Sequence, residues 1–161
     1  MKKLFVLGLV LIIVGCSVFR RYEEAFDYVF DVPDLGLETV EDVCVWTADF
    51  LRYVDDDVHE VSEYWQQPYQ TYTWRSGDCE DFAILAMYLI YRDTGLIPGL
   101  VVGTGPSGQH GWVVVMGEHW EPQIGMQVDY RDMFPLQIVL PYEEVLWRAV
   151  NRHKKLEVTN D

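Results

Sequence analysis

A cysteine stands inside a short run of acidic residues that opens an apolar segment. The run reads Gly77-Asp78-Cys79-Glu80-Asp81, and apolar residues follow it. Asp78 can serve as the N-cap of a helix, which places Cys79 in the first turn. Unpaired backbone N–H groups and the helix dipole favour a thiolate there, and the pKa of a cysteine can fall from about 8.5 to between roughly 3.5 and 7.5. The pattern therefore predicts that Cys79 is an activated nucleophile.

A histidine at the start of a later apolar run is the predicted partner of this cysteine. His110 precedes Gly111, Trp112 and a series of valines, a pattern that predicts a β-strand. The carboxylates beside Cys79 oppose a thiolate, so its activation needs a cation nearby, which His110 can supply. A cysteine and a histidine in this relation can carry out acyl transfer at an amide.

The first of the elements that would position these residues is a helix near position 40. Thr39 and Asp42 have the spacing of a capping box. Residues at the three-to-four spacing of one helix face then follow, namely Val40, Val43, Thr47, Phe50, Leu51 and Val54. Cys44 lies beside this stripe and is predicted to be a structural, buried thiol.

The segment that follows Cys79 is apolar on nearly every side until Gly95, which predicts a helix buried in the middle of the domain. Residues 64–74 show no stable period and are interpreted as irregular. Short β-branched runs predict four strands, at 100–103, 110–116, 126–130 and 137–140. The last segment, 142–152, is predicted to be a helix. Helices followed by an antiparallel sheet indicate an α+β fold.

Three segments resemble the core of a known family, the bacterial transglutaminase-like cysteine proteinases. The similarity extends from about Trp65 to Tyr130. The matching segments are Gly77-Asp78-Cys79-Glu80-Asp81-Phe82-Ala83, Gly95-Leu96-Ile97-Pro98 with Val101-Val102-Gly103, and His110-Gly111-Trp112-Val113.

This resemblance implies a papain-like, transglutaminase-like fold, in which a central helix carries the cysteine and packs on an antiparallel sheet that carries the histidine and an acid. Cys79 and His110 match the nucleophile and the base of the family. It implies a cysteine peptidase or amidase that acts on protein or peptide substrates without a cofactor. Two alternatives stay open: a transglutaminase that uses an amine as acceptor, and a non-catalytic binding module with the same fold.

The acid of the triad has two candidates, Asp129 and Glu121. A hairpin centred between His119 and Trp120, with residues 117–122 in the turn, would pair position 110 with Asp129. A tight turn at positions 117 and 118 would pair position 110 with 125 and leave Glu121 near the tip, although Glu121-Pro122 resembles an acid-proline pattern of some relatives. The prediction is Asp129, with Glu121 as the alternative.

The N-terminus has the layout of an export signal. Lys2 and Lys3 precede an apolar run over positions 4–14, which is too short for the roughly twenty residues of a transmembrane helix. Ile13-Val14-Gly15-Cys16 resembles the lipobox of bacterial lipoproteins, which implies cleavage before Cys16 and fatty acylation of its sulfur, palmitate included. An ordinary signal peptide is the alternative.

The predicted organisation is therefore a lipoprotein signal peptide at 1–15, a lipidated N-terminus and tether at 16–33, and a transglutaminase-like domain at 34–161. Cys16 would anchor this domain to a membrane of the bacterial cell envelope, outside the cytoplasm, where its substrates could be envelope proteins.

The composition limits the class of partner. The chain of 161 residues has a formal net charge of −14, and half of its residues are hydrophobic. Acidic proteins do not favour nucleic acid or anionic lipid headgroups, because both need clustered lysine and arginine. One domain with a sizeable core is expected, as a monomer. Cys44 and Cys79 are both expected to be free thiols.

The other polar residues have less specific interpretations. His59 and His153 are predicted to lie on the surface, and His119 in the hairpin turn. A metal site made of Cys79, His110 and Asp129 is disfavoured, because the chain has no CxxC or HxxxH spacing. The acidic run at 55–57 lacks the glycine and the closing glutamate of an EF-hand loop and is interpreted as a solvated loop.

Overall fold

The computed structural model describes residues 32–55 and 64–157, of which residues 152–157 are described by their backbone alone. Outside these ranges lie the predicted signal peptide at 1–15, the predicted acylation site Cys16, nearly all of the predicted tether, and His59. His153 falls on the last helix, where only the backbone is described. None of the helices within the described ranges is both long and apolar enough to cross a membrane.

The described chain contains four α-helices and seven β-strands. The helices are α1 (Val40–Phe50), α2 (Pro68–Trp74), α3 (Cys79–Leu89), which continues as a π-helical turn (Ile90–Thr94), and α4 (Tyr142–Glu157). The strands are β1 (Arg52–Tyr53), β2 (Ser76–Gly77), β3 (Pro98–Gly105), β4 (Gly108–Val115), β5 (Glu118–Glu121), β6 (Met126–Gln127) and β7 (Leu136–Pro141).

Helix α1 begins at the predicted capping box and ends earlier than predicted. The Thr39 hydroxyl accepts from the Asp42 N–H, and the Asp42 carboxylate accepts from the Thr39 N–H, each at 3.0 Å. The helix ends at Phe50, so Val54 is not part of its apolar face. The chain extends instead into β1, which pairs in parallel with β2 just before Cys79.

Helix α2 corrects the prediction of an irregular segment over 64–74. Pro68 occupies the first helical position, where its missing N–H has no intrahelical partner to lose. The Gln67 N–H is satisfied by the Gln70 side chain at 2.9 Å. These start signals lie among aromatic and polar residues without helical periodicity, so the helix depends on packing against α3.

Helix α3 is the buried central helix that the sequence predicts. Every residue from Asp81 to Leu89 is buried. The π-helical turn follows, and Gly95 ends it with a φ of 71°. Because α3 is enclosed on all sides, its N-terminus is held in a fixed position against the sheet.

The large sheet has five strands in the order β6-β5-β4-β3-β7, and all of its pairs are antiparallel. Strand β3 lies between β4 and β7, with Gly103 opposite both His110 and Gln137. The predicted strands at 100–103, 110–116 and 137–140 are present with shifted ends. The strand predicted over 126–130 ends at Gln127 in the structure, so the prediction is wrong for the rest. The Val128 N–H still donates to the His119 carbonyl at 2.9 Å, and the chain then leaves the sheet.

The helices and the sheet together form the predicted α+β arrangement. Helix α3 packs against β3 and β4, and α4 packs against β3 and β7. A Cβ added to Gly111 would lie 3.5 Å from the Glu80 Cα, so β4 passes directly over the first turn of α3. This close approach brings the strand that carries His110 to the end of the helix that carries Cys79.

Candidate active site

The first turn of α3 is fixed by two aspartates. The Asp78 carboxylate accepts from the Asp81 N–H, and the Asp81 carboxylate accepts from the Asp78 N–H. Asp81 is fully buried, and its second oxygen accepts from the Gln66 N–H at 2.7 Å. Asp81 therefore joins the helix start to the segment that precedes α2, and both aspartates have a positioning role in the backbone that carries Cys79.

Two glycines allow the chain to close around this turn. A Cβ at Gly77 would lie 2.4 Å from the Asp81 Cβ, which leaves no room for any side chain. A Cβ at Gly111 would lie 3.5 Å from the Glu80 N and 3.7 Å from the Cys79 carbonyl carbon. Strand β4 therefore runs close to the backbone that carries the thiol, one residue after His110 in the sequence.

The Cys79 thiol is held in its protonated form. Burial raises its pKa, the charge of Glu80 and a hydrogen bond to that carboxylate raise it further, and the Gly111 N–H lowers it by less. The thiol donates to the Glu80 Oε2 at 3.0 Å. The prediction that the helix N-terminus lowers the pKa of Cys79 is therefore wrong for this state, because burial and an adjacent carboxylate outweigh the helix dipole.

His110 is paired with Glu121 and not with Asp129. Its Nε2 lies 2.5 Å from the Glu121 Oε2. The Glu121 side chain is buried, and His110 is partly buried. The predicted acid, Asp129, is thus corrected to the alternative, Glu121, as the carboxylate that contacts His110.

The hairpin between β4 and β5 accounts for this correction. Its turn lies at Met116 and Gly117, so Val115 pairs with Glu118 and Val113 with Trp120. Both registers considered from the sequence, which paired position 110 with 129 or with 125, are wrong. In the observed register Glu121 follows Trp120 on β5 and reaches the His110 ring on the same face of the sheet.

Asp129 lies on the segment that leaves the sheet. Its carboxylate is exposed and accepts from the Arg131 Nε at 2.8 Å and from the Arg131 Nη2 at 2.5 Å. The Arg131 guanidinium lowers the pKa of Asp129 to about 2. Asp129 thus forms a surface ion pair with Arg131.

Three groups hold the Glu121 carboxylate. Besides His110 on Oε2, the Gln123 N–H donates to Oε1 at 3.1 Å. The third is the Tyr130 hydroxyl. Its burial, the charge of Glu121 and a hydrogen bond between the two side chains raise the pKa of Tyr130 to about 12. Sequence reasoning missed Gln123 and Tyr130 as site residues, because neither carries a motif.

Aromatic rings surround the His110 imidazole. Its centroid lies 5.8 Å from that of Trp112, 5.5 Å from that of Phe134 and 5.8 Å from that of Tyr130. The Trp112 Nε1 donates to the His119 Nδ1 at 2.8 Å. His119 lies on β5, where it pairs with Val114 of β4, so the prediction that it lies in the hairpin turn is wrong.

Cys44 is a fully buried free thiol, as predicted. Burial, and to a smaller extent the charge of Glu121, raise the pKa of Cys44 to about 12. Cys79 is also a free thiol, as predicted, and is only partly buried. The two cysteines thus differ in access to solvent, and only Cys79 lies at the start of a helix.

The fold is similar to that of solved structures. Legionella pneumophila LapG matches with a TM-score of 0.52 and 13% identity over 89% of this chain and 87% of that chain. Legionella pneumophila LapG treated with EGTA matches with a TM-score of 0.47 and 17% identity, over 76% of this chain and 69% of that chain. A proposed cysteine protease from Cytophaga hutchinsonii matches with a TM-score of 0.45 and 15% identity, over 84% of this chain and 46% of that chain.

No protein-family model matches the chain, and no curated protein matches its sequence. Two of these three matches have TM-scores below 0.5. The match with LapG at a TM-score of 0.52 supports the similarity of fold. At 13% identity it shows the fold alone. The chain therefore has the α+β fold that the sequence predicts, and it shares this fold with LapG.

Proposed function

We propose that this protein is a cysteine peptidase or amidase with Cys79 as nucleophile, His110 as base and Glu121 as the orienting acid. The observation that carries the proposal is the buried Glu121 carboxylate on the His110 Nε2 at 2.5 Å. A buried carboxylate on one nitrogen of an imidazole fixes its tautomer and stabilises its protonated form, as in nucleophilic triads. The strand that carries His110 also carries Gly111, which lies against the backbone of Cys79 and Glu80.

The proposal includes an order of proton transfers. Cys79 gives its proton to the Nδ1 of His110, which is the ring nitrogen that Glu121 leaves open. The thiolate then attacks the carbonyl carbon of an amide, and the imidazolium gives its proton to the departing amine. The resulting thioester is hydrolysed by a water that His110 deprotonates, which returns the thiol.

The resting hydrogen bond between Cys79 and Glu80 must break before this attack. The Glu80 carboxylate holds the thiol proton and opposes the thiolate. Substrate that displaces the Glu80 carboxylate would expel water and leave His110 as the acceptor. In this proposal the site therefore forms its reactive ion pair only when occupied.

A peptide library derived from bacterial envelope proteins tests this function. Cleavage by the purified protein, read by mass spectrometry, should be lost in Cys79→Ala and in His110→Ala. Cys44→Ala is the matched control and should cleave as the wild type does, because Cys44 is enclosed in the core. Cleavage that survives in Cys79→Ala would contradict the proposed nucleophile.

The protonated thiol also favours the second candidate, a non-catalytic module. The two functions differ in whether Cys79 forms a thioester. Trapping of an acyl-enzyme at Cys79 from a library peptide supports catalysis, and release of that acyl group to an added primary amine instead of water would identify a transglutaminase. Peptide binding without any covalent adduct would favour the module.

Export and membrane anchoring complete the proposal. The export layout of residues 1–15 and the acylation site at Cys16 support a domain held outside the cytoplasm, with envelope proteins or peptides as substrates. The acidic charge of the chain supports substrates that are neutral or basic near the scissile bond.

A further inference from the structure

Tyr130 lies on the chain that follows β6 and contacts both the base and the acid. Its ring meets the His110 ring edge-on at 63°, with 5.8 Å between the ring centroids. It also meets Trp112 at 89° and 5.2 Å, and Phe134 at 69° and 5.7 Å. Edge-to-face contacts of this kind define the orientation of a ring. The phenol ring is therefore fixed by three neighbours. A hydrogen bond between its hydroxyl and the nearby Glu121 contributes to the raised pKa of Tyr130.

Glu121 has few groups that stabilise its charge. Among the residues that the structure describes, His110 is its only ion-pair partner. The Gln123 N–H and the Tyr130 hydroxyl are the neutral donors to it. A buried carboxylate without a permanent cation depends on such donors to stay ionised.

We propose that Tyr130 is a positioning residue that holds the Glu121 carboxylate in place beside His110. The hydroxyl donates to the carboxylate, and the ring packs against the imidazole, so one side chain sets the relative position of both members of the pair. Loss of the hydroxyl removes a hydrogen bond to the charged form of Glu121. This inference rests on the proposed site of Cys79, His110 and Glu121.

The test is the titration of the His110 ring by NMR in wild type, Tyr130→Phe and Glu121→Gln. Two ionisable groups in direct contact give two macroscopic transitions in such a titration, and each belongs to the pair. In Tyr130→Phe the lower transition should move to a higher pH value, because the carboxylate loses a donor. In Glu121→Gln the upper value should fall, because the imidazolium loses its counterion. Tyr69→Phe, at an exposed tyrosine of α2, is the matched control.

The outcomes separate this inference from the proposed function. If Tyr130→Phe titrates like wild type while Glu121→Gln lowers the upper pKa, Tyr130 has no positioning role and the acid assignment stands. If Glu121→Gln leaves the His110 titration unchanged, the acid assignment fails.

Incorporation of 3-fluorotyrosine at position 130 keeps the test decisive if Tyr130→Phe does not fold. The fluorinated phenol is a stronger donor, so the lower pKa of the pair should fall. An unchanged or higher value would overturn the inference.

Discussion

The environments of the carboxylates Glu121 and Asp129 predict different effects on turnover when each is replaced by its amide. Glu121→Gln removes the buried charge that stabilises an imidazolium on His110. We expect peptide turnover to fall by a large factor, up to about 10⁴ by analogy with the aspartate of serine triads. Asp129→Asn removes only an exposed ion pair with Arg131 and should leave turnover unchanged. Steady-state cleavage of one library peptide compares them, and the opposite order would restore Asp129 as the acid.

Glu80 is predicted to restrain the thiol. Glu80→Gln removes the charge that raises the pKa of Cys79 and weakens the acceptor of its proton. The midpoint of iodoacetamide labelling against pH should therefore move to lower pH. The measurement is the alkylation rate of Cys79 followed by mass spectrometry, with the buried Cys44 as an internal control. A midpoint that stays or rises would show that Glu80 does not hold the thiol proton.

The first turn of α3 depends on Asp81, because this buried carboxylate satisfies backbone N–H groups of Gln66 and Asp78. Asp81→Ala should lower the free energy of unfolding by about 2 to 4 kcal/mol, since a cap and a charge-assisted hydrogen bond are both lost. Urea denaturation measures this change. Asp132→Asn, at an exposed position, is the control and should stay within about 0.5 kcal/mol of wild type.

The turn between β4 and β5 is strained at Met116. Two-residue hairpin turns favour positive φ, and Met116 and Gly117 have φ values of 52° and 84°. A side chain in this conformation costs about 1 kcal/mol or more, so Met116→Gly should stabilise the protein by about 0.5 to 1 kcal/mol. Thermal denaturation should show a higher Tm. A lower Tm would mean that the methionine side chain contributes more than the strain removes.

The sequence predicts α3 well and the hairpin poorly, for different physical reasons. The cap at Asp78, the apolar run and the stop at Gly95 are local signals, and all three are present in the structure. The hairpin register depends on the turn at Met116, a residue that does not favour positive φ. The observed pairs put position 110 opposite 123 and not opposite 129, and this difference in register replaces Asp129 by Glu121 beside His110.

The pKa of Cys79 illustrates a second limit of the sequence. The helix start was visible in the pattern, but the direction of the shift depends on burial and on where the Glu80 carboxylate points. Helix α2 shows a third limit, since a short helix without periodicity depends on its neighbours for stability. In each case the sequence lacks the tertiary contacts on which the property depends.

For the protein as a whole, the lipid anchor is the remaining prediction, and it rests on the sequence at residues 1–16. Cys16→Ser should abolish labelling with a palmitate analogue and shift the protein from the membrane fraction to the soluble fraction. Fractionation with and without detergent measures this, and Cys44→Ser is the matched control at a second cysteine. Membrane association that persists in Cys16→Ser would contradict the lipoprotein prediction.

The antiparallel register of β4 and β5 links the accuracy of folding to the presence of activity. Successive side chains of a strand point to opposite faces, so a slip of one residue would turn Glu121 away from the His110 face. Such a molecule would keep its helices, its thiol and most of its core. A preparation could therefore contain a well-formed but chemically silent fraction, which only titration of the active sites, and not spectroscopy of secondary structure, would count.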